Sequence, residues 1–365
     1  MSAALDDAAL DHRAIDAAMF ASGPDAFDGV HEPDLAVASA FVGGRGLPAF
    51  RVQTGGSTGA SAAIAGMMLV FSGRFERVLV VGVQRGAQSA NPDAVFKTMF
   101  DPVYEADMQL TGISTAALQA TRQMEYFGLT EDHLDWIAAK NRRCAMRNPM
   151  AHLRRPATPA DIRSSRMLAW PLRLGHCCPR SEGACAIILG SAHAARTSNH
   201  PAWISGIGCS TDVYRIGDRI SDMGWDFAQQ RSLAWATATA YDRAGISNPR
   251  GQLDVAELFT PFANLEVSSY EAIGLTPPGM GWQLVEEGVT DFDGSLPVCP
   301  SGGCLTTNPV GPAGLIRIAE AALQVTGRAG EHQVHGAKTA LATATSGVNQ
   351  GAVAVVVTAA PNTEV

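Results

Sequence analysis

Between residues 51 and 85 the chain reads as a strand, a tight glycine turn, a long apolar helix and a second strand, "RVQTGGSTGASAAIAGMMLVFSGRFERVLVVGVQR". The helical part is apolar on nearly every side, so we expect it inside the molecule. The run "RVLVVGV" is typical of a parallel strand that is covered on both faces. In such a unit the turn before the helix is where a catalytic nucleophile usually lies. This turn reads Thr54-Gly55-Gly56-Ser57 and contains no cysteine.

The same alternation of strands and helices occurs on both sides of this unit. Strands are predicted at "AIDAAMFAS", "PAFRVQTG" and "EGACAIILG", the last after a polar, helix-rich stretch over about 91–171. From "WISGIGCST" onward the order starts again, with strands at "LDVAELFT", "KTALATAT" and "GAVAVVVTAA". Two halves of similar order and size predict a duplicated βαβ architecture. We predict an N-terminal domain over 1–199, which includes the helical stretch, and a C-terminal domain over 200–365.

Composition and charge exclude several classes of protein. Hydrophobic residues make up 46% of the chain and charged residues 17%, with 37 glycines and 20 prolines, as in a packed α/β protein. A net charge of -8 argues against binding to nucleic acid. No apolar run approaches a membrane span and the acidic start lacks the features of a signal peptide, so we expect a cytoplasmic protein without membrane contact. The seven cysteines form no CxxC pair, so no disulfide framework and no metal site are expected.

Four collinear stretches resemble the thiolase superfamily, nearest its sterol-carrier-protein type. They begin at "GGSTGASAAIAG", "HLDWIAAKNRRCAMRNPMAHLR", "PLRLGHCCPRSEGACAIIL" and "SGGCLTTNPVGPAGLIRIAEAALQVTGRAGEHQV", and together they run from about Ala14 to the last strand. The resemblance implies two similar βαβαβ-type domains packed as a layered α/β/α/β/α sandwich, with a helical loop excursion. It also implies a dimer that takes acyl-coenzyme A thioesters as substrates and holds no bound cofactor.

The catalytic residues of that family have no counterparts here. The family uses a nucleophilic cysteine at the start of the buried helix, a histidine in a Gly-His-Pro loop, a polar residue after a strand, and a second cysteine in the last glycine-rich loop. Matched by position, this chain has Gly56, Asn308 and Phe259 at the first three places, and Thr345 or Ser346 at the fourth. An acyl-cysteine mechanism is therefore not supported.

A branch of the superfamily that lacks the cysteine is similar in the "VQTGGS" and "LTTNP" stretches. Its relatives work with a small zinc-ribbon/OB-fold partner, and some cleave a β-hydroxyacyl-CoA by retro-aldol chemistry, as in steroid side-chain degradation. That reaction needs a base for the β-hydroxyl and hydrogen-bond donors for the thioester enolate. The two tyrosines implicated in those aldolases have no match, because Thr306, Thr307 and Thr345 stand there instead.

The resemblance gives a set of candidate residues. Candidate catalytic residues are Asn308, Ser57, Thr307 and Thr345, and candidate substrate-binding residues are Gly55, Gly56, Phe259, Ser346 and Gly347. Asn308 precedes a proline, which favours an extended backbone, and its amide can donate a hydrogen bond but cannot act as a general base. Without the family resemblance, the glycine turn is interpreted as a tight strand-to-helix connection in which Ser57 or Thr58 is the N-cap of the helix.

For six other residues a functional role is conceivable, but a structural role is expected. Cys304 is a conceivable replacement nucleophile but is expected to be a packed small residue, and Tyr104 and Tyr270 are expected to be structural. Cys177 and Cys178 follow His176, which is interpreted as a loop residue; a metal site there is not expected.

We predict a lyase that acts on acyl-CoA without a cysteine nucleophile. The alternatives are a non-catalytic thiolase-like subunit that binds acyl-CoA or supports an active partner, and an acetyl-CoA acyltransferase. The expected partners are the acyl-CoA substrate, a second thiolase-like chain that is identical or related, and a zinc-ribbon/OB-fold protein. The family's first central strand has no counterpart, so we expect either that the sequence starts downstream of the true start or that another segment fills the position.

Overall fold

The computed structural model describes residues 1–29, 31–42, 46–85, 91–220 and 226–361. Their strands form two four-stranded sheets and a two-stranded ribbon. The strands are β1 (Ala17–Ser22), β2 (Ala49–Val52), β3 (Arg77–Gln84), β4 (Met167–Ala169), β5 (Leu172–Arg173), β6 (Gly183–Gly190), β7 (Trp203–Thr211), β8 (Val255–Glu257), β9 (Thr339–Ser346) and β10 (Gly351–Thr358).

Helices lie between and around the sheets. They are α1 (Ser2–Asp7), α2 (Asp25–Asp28), α3 (Pro33–Val42), α4 (Thr58–Phe71), α5 (Pro92–Lys97), α6 (Gly112–Phe127), α7 (Glu131–Ala145), α8 (Pro159–Ser164), α9 (Ala192–Ala195), α10 (Ile216–Ile220), α11 (Arg231–Ala244), α12 (Pro249–Gln252), α13 (Ala263–Ala272), α14 (Gly281–Glu286), α15 (Gly303–Thr306) and α16 (Ala313–Val325). Among the described residues, no helix is both long enough and apolar enough to cross a membrane.

The first sheet has the order β2-β1-β3-β6. Strand β1 pairs in parallel with β2 on one side and with β3 on the other. β1 therefore lies inside this sheet, and its backbone is paired on both edges. β3 was predicted as a parallel strand, which is right on the side of β1. On its other side it pairs antiparallel with β6.

The second sheet has the order β7-β10-β9-β8. β9 and β10 form an antiparallel hairpin in which Ser346 faces Gly351. β8 joins β9 in parallel, so the segment after β8 and the hairpin turn project from the same sheet. This arrangement brings two of the sequence-predicted loops close together.

The predicted layered sandwich is confirmed. Between the sheets, α4 and α16 share one apolar cluster with strands of both sheets, including Ala63, Met67, Leu315, Ile318 and Val355. Helices α1 and α3 cover the outer face of the first sheet, and α11 covers that of the second. A helix enclosed on both sides by sheets must be apolar all round, which is the pattern that α4 shows in the sequence.

Helices α5 to α8 and the β4–β5 ribbon form the predicted excursion. α7 packs on α13, and the buried Lys140 ammonium pairs with Glu266 at their contact. Tyr270 donates to the same carboxylate, with 2.6 Å between Oη and Oε1. A buried charge is tolerated when it is paired and hydrogen-bonded in this way.

Candidate functional site

The glycine turn leads into α4 through a short 3-10 turn, Gly55–Ser57. The Ser57 hydroxyl donates to the Thr54 carbonyl oxygen at 3.0 Å and lies 2.9 Å from Thr54 Oγ1. Thr58 Oγ1 in turn accepts from the Thr54 N–H at 2.8 Å. Ser57 occupies the N-cap position of α4 without a capping side-chain bond. The Ser57 hydroxyl is thus hydrogen-bonded within the turn, which is a structural role.

The side-chain position of Gly56 is already filled by protein. A Cβ atom there would lie 2.5 Å from the Thr345 carbonyl oxygen and 3.0 Å from Phe259 Cζ. Both distances are shorter than ordinary van der Waals contacts. The Thr345 backbone and the Phe259 ring therefore close the space into which the family's nucleophile projects.

The last glycine-rich loop lies against this turn. A Cβ atom on Gly55 would be 3.5 Å from Ser346 Cβ and 3.7 Å from the Gly347 nitrogen. Gly55 and Gly347 both have positive φ, +65° and +60°, which favours glycine at both places. With Gly56, Phe259, Thr345 and Ser57 described above, all five predicted substrate-binding residues and two predicted catalytic residues lie in one group.

Asn308 lies in a second group, in the loop before α16. Its backbone N–H donates to Ser181 Oγ at 2.9 Å, and its side-chain Nδ2 donates to Cys178 Sγ at 3.0 Å. Its Oδ1 is buried and has no hydrogen-bond partner. A buried polar atom is normally paired, so Oδ1 is the end of this amide whose hydrogen-bonding capacity the described protein atoms leave unused.

His152 belongs to the same group of residues and was not among the site residues predicted from the sequence. Its backbone N–H donates to Thr307 Oγ1 at 2.9 Å, and its ring Nδ1 lies 2.9 Å from Ser181 Oγ. Ser181 thus links an exposed imidazole to the backbone of Asn308. The only sequence signal was the position of this histidine in "NPMAHLRRP", inside one of the four family-like stretches.

The segment after β8 connects the two groups. The Cys178 N–H donates to the Pro261 carbonyl oxygen at 2.9 Å, and the Phe259 N–H donates to Thr343 Oγ1 at 3.2 Å. Phe259 therefore lies against the Gly56 turn, while Pro261, two residues later, binds the backbone of Cys178, the side-chain partner of Asn308. We treat both groups as one candidate site.

No cysteine replaces the missing nucleophile in this arrangement. Cys304 is fully buried, and burial raises the pKa of its thiol to about 12. Burial likewise raises the pKa of Cys178 to about 11. Only the thiolate is an effective nucleophile, so both groups are unreactive near neutral pH.

The remaining titratable residues singled out from the sequence lie outside the site. His176 is not a free loop residue, because it ends a buried 3-10 turn and its Nε2 lies 2.7 Å from Asp135 Oδ1. Tyr270 belongs to the buried Lys140 cluster, and Tyr104 is exposed. Within the described ranges, no group of three or more potential metal ligands comes together.

Comparisons with known proteins identify the family. Residues 218–359 match the family described as thiolase C-terminal domain-like. The acetyl-CoA acetyltransferase of Methanothermobacter thermautotrophicus is 31% identical over 294 residues, covering 80% of this chain and 75% of that protein. Sterol carrier protein 2 of Oryctolagus cuniculus is 30% identical over 314 residues, covering 81% of this chain and 56% of that protein. The chain thus spans little more than half of the sterol carrier protein.

Two known structures share the fold over nearly the whole chain. The Ltp2-ChsH2(DUF35) aldolase has a TM-score of 0.81 at 24% identity, covering 98% of this chain and 90% of that chain. Human mitochondrial 3-ketoacyl-CoA thiolase has a TM-score of 0.73 at 16% identity, with the same coverage of 98% and 90%. Sequence identity to the acetyltransferase, the match to the thiolase C-terminal domain and this shared fold together place the chain in the thiolase superfamily, close to its sterol-carrier-protein type.

Proposed function

We propose that the chain is an acyl-CoA-handling carbon–carbon lyase that cleaves a β-hydroxyacyl-CoA without an acyl-enzyme. The observation that carries this proposal has two parts. The space beside Gly56 is filled, and the group of residues around Asn308 holds an imidazole that can act as a base and an amide with one unpaired end. Thr345 and Phe259 fill the space beside Gly56, so covalent catalysis from this turn has no place to occur. His152 and Asn308 still offer functional groups, and retro-aldol cleavage needs nothing more than a base and a donor.

His152 is the proposed base. When its Nδ1–H donates to Ser181 Oγ, Nε2 is left to accept the proton of the β-hydroxyl. The electron pair of that O–H bond then forms the carbonyl of the departing aldehyde or ketone. The electrons of the broken Cα–Cβ bond move into the thioester as an enolate, and the imidazolium returns the proton to Cα. Atoms and charge balance without a cofactor.

Asn308 is the proposed stabiliser of the enolate oxygen. In the structure its Nδ2 faces Cys178 and its carbonyl oxygen is the free end. A rotation of the amide by 180° lets Oδ1 accept from the Cys178 S–H and turns the NH₂ group toward a ligand. The raised pKa of Cys178 keeps that thiol protonated, so it can donate in this second orientation.

The proposal is supported by a likeness to a known lyase. The aldolase that shares this fold is a complex of Ltp2 with ChsH2(DUF35), so a second protein is part of that enzyme. We extend this to a partner for the present chain, of the zinc-ribbon/OB-fold class, and to a coenzyme A thioester substrate with no bound cofactor. Degradation of a steroid or lipid side chain is the proposed setting, and the cytoplasm the proposed location.

Turnover and protein mass provide the test. The purified chain, alone and with any co-purifying partner, is incubated with β-hydroxyacyl-CoAs of increasing length. We expect release of an aldehyde or ketone and a shortened acyl-CoA, with the intact mass of the chain unchanged. A stable acyl adduct on any cysteine would overturn the cysteine-free mechanism.

A non-catalytic thiolase-like subunit is the second candidate. The observation in its favour is that the hydroxyls of Ser57 and Thr307 already have protein partners, so two of the four predicted catalytic residues are occupied. This function predicts tight binding of acyl-CoA or of an active partner, with no cleavage under any combination of partner and substrate. Acyl transfer, the third alternative, predicts the adduct that the mass measurement looks for.

A further inference from the structure

Arg219, on α10, is a buried cation beside the candidate site. Only 7% of the residue is exposed. Its Nη1 donates to the carbonyl oxygen of Val348, in the last glycine-rich loop. Its Nε and Nη2 are both buried and have no hydrogen-bond partner. A guanidinium that leaves two buried nitrogens unpaired is unusual, because burying a charge is costly unless it is paired.

The neighbouring carboxylates are engaged elsewhere. Asp212 accepts from Arg231 Nε at 3.1 Å, and Glu105 accepts from the Ile216 N–H at 2.6 Å. Burial, which outweighs the attraction of Asp212, lowers the pKa of Arg219, and the positive charge of Arg231 acts in the same direction. The structure therefore leaves the positive charge of Arg219 incompletely compensated by the protein.

Its position connects Arg219 to the glycine turn. Val348, which it contacts, follows Gly347, and the Gly347 nitrogen would lie 3.7 Å from a Cβ atom on Gly55. α10 also contributes Ile216 to a small apolar cluster with Phe100, Leu110 and Val348. The unpaired nitrogens thus lie one loop away from the candidate site and are shielded from solvent, and burial strengthens a charge-assisted hydrogen bond.

We infer that Arg219 binds an anionic oxygen group, carboxylate or phosphate, carried by the thioester substrate. Nε and Nη2 form one side of the guanidinium fork, and the two N–H groups there match the two oxygens of a carboxylate or phosphate. The group has two sources: a carboxylate at the far end of the acyl chain, or a phosphate of coenzyme A. This inference rests on the proposed function in taking the thioester as the ligand.

Binding measurements on Arg219→Gln separate the two sources. Titration calorimetry compares acetyl-CoA, succinyl-CoA and 3′-dephospho-CoA with the wild-type chain and the variant. A loss of roughly 10- to 100-fold in affinity, as expected when a bond to a charged group is removed, that is confined to succinyl-CoA assigns the acyl carboxylate. The same loss with acetyl-CoA that disappears with 3′-dephospho-CoA assigns the 3′-phosphate.

Two controls keep the test decisive. Arg215→Gln removes a cation that is more exposed and already paired with Asp218, and should leave every affinity unchanged. Arg219→Lys keeps the charge but loses the fork, so it should recover only part of the affinity. Equal affinities of wild type and Arg219→Gln for all three ligands would overturn the inference.

Simple anions separate this inference from the proposed function. Succinate and inorganic phosphate are titrated while the thermal unfolding temperature is followed, since a ligand that binds only the folded state raises it. If either anion raises it for the wild type and not for Arg219→Gln, the anion site stands even if no thioester is cleaved. If neither anion has an effect and no thioester distinguishes the two proteins, the anion site is refuted.

Discussion

At the scale of single residues, Gly56 separates this chain from a covalent catalyst. The structure places the Thr345 carbonyl oxygen and the Phe259 ring where a methyl group on residue 56 would lie. Gly56→Ala should therefore lower the free energy of unfolding by about 1–3 kcal/mol through overpacking. Denaturant unfolding measures this change. Gly217→Ala is the matched control, because a Cβ at Gly217 meets nothing within 4 Å and alanine is the better helix former, so its stability should equal or exceed that of wild type.

The variant Gly56→Cys extends this prediction to activity. A thiol at this position has to displace backbone and ring atoms before it can reach a substrate. We expect a destabilised protein that forms no acyl adduct with acetyl-CoA, as judged by intact mass. A folded variant that becomes acylated on the new cysteine would show that the space beside residue 56 opens more readily than the structure indicates.

Asn308 has a different role to test. If its amide stabilises the enolate, Asn308→Ala should lower the turnover of a β-hydroxyacyl-CoA roughly 100- to 1000-fold with a smaller effect on ester binding. Asn248→Ala, an exposed change of the same kind, should have no effect on either quantity. Unchanged turnover of Asn308→Ala in the complete complex would remove Asn308 from the mechanism.

His152 should show its role in the rate of cleavage. A general base takes the proton in the reacting complex, so loss of the imidazole should slow cleavage with little effect on ester binding. His152→Gln should lower the turnover of a β-hydroxyacyl-CoA by roughly 100-fold or more. The exposed His335 supplies the control, since His335→Gln should keep the wild-type rate. Unchanged turnover of His152→Gln would remove this residue from the mechanism.

At the scale of elements, two buried histidines link neighbouring segments with opposite pH dependence. Burial alone would lower the pKa of His332, but the hydrogen bond and charge of Glu320 on α16 outweigh it and raise the pKa. The stabilisation from this pair is fully present below the ordinary histidine pKa and is lost as the pH rises through the raised value. His332→Gln should thus cost most stability in acid, and the cost should shrink at higher pH.

His176 behaves in the opposite way. Burial lowers its pKa and outweighs the attraction of Asp135 on α7. Its stabilising contribution is present above the ordinary histidine pKa and is lost as the pH falls toward the lowered value. Thermal unfolding of His176→Gln between about pH 5 and 8 should therefore show the largest difference from wild type at the alkaline end. Parallel profiles for the two variants would contradict both assignments.

The elements themselves were largely predictable and their contacts were not. Apolar runs and turn residues located every strand of the two sheets, although β8 is shorter than "LDVAELFT". The filling of the Gly56 position by Phe259 and the link from His152 to Ser181 join residues that are far apart in sequence. The periodicity of apolar residues indicates which face of a helix or strand is buried, but it does not indicate which distant side chain packs against that face.

At the scale of the whole molecule, the first sheet ends in an edge strand. Among the described residues, β2 pairs only with β1, and its Phe50 side chain is 47% exposed. Met68 and Phe71 of α4, the helix that follows β2, are also exposed. An open strand edge next to apolar side chains is a surface that proteins usually cover.

We predict that this edge pairs with the same edge of a second thiolase-like chain. Sedimentation equilibrium at micromolar concentration should show a dimer, or a complex with a related chain when the two are produced together. Phe50→Lys should shift the population toward monomer, because a charge would have to be buried at the interface. Val103→Lys, which changes an exposed apolar residue of the helical excursion, should leave the assembly intact. A folded wild-type chain that sediments as a single monomeric species would rule out a dimer interface through β2.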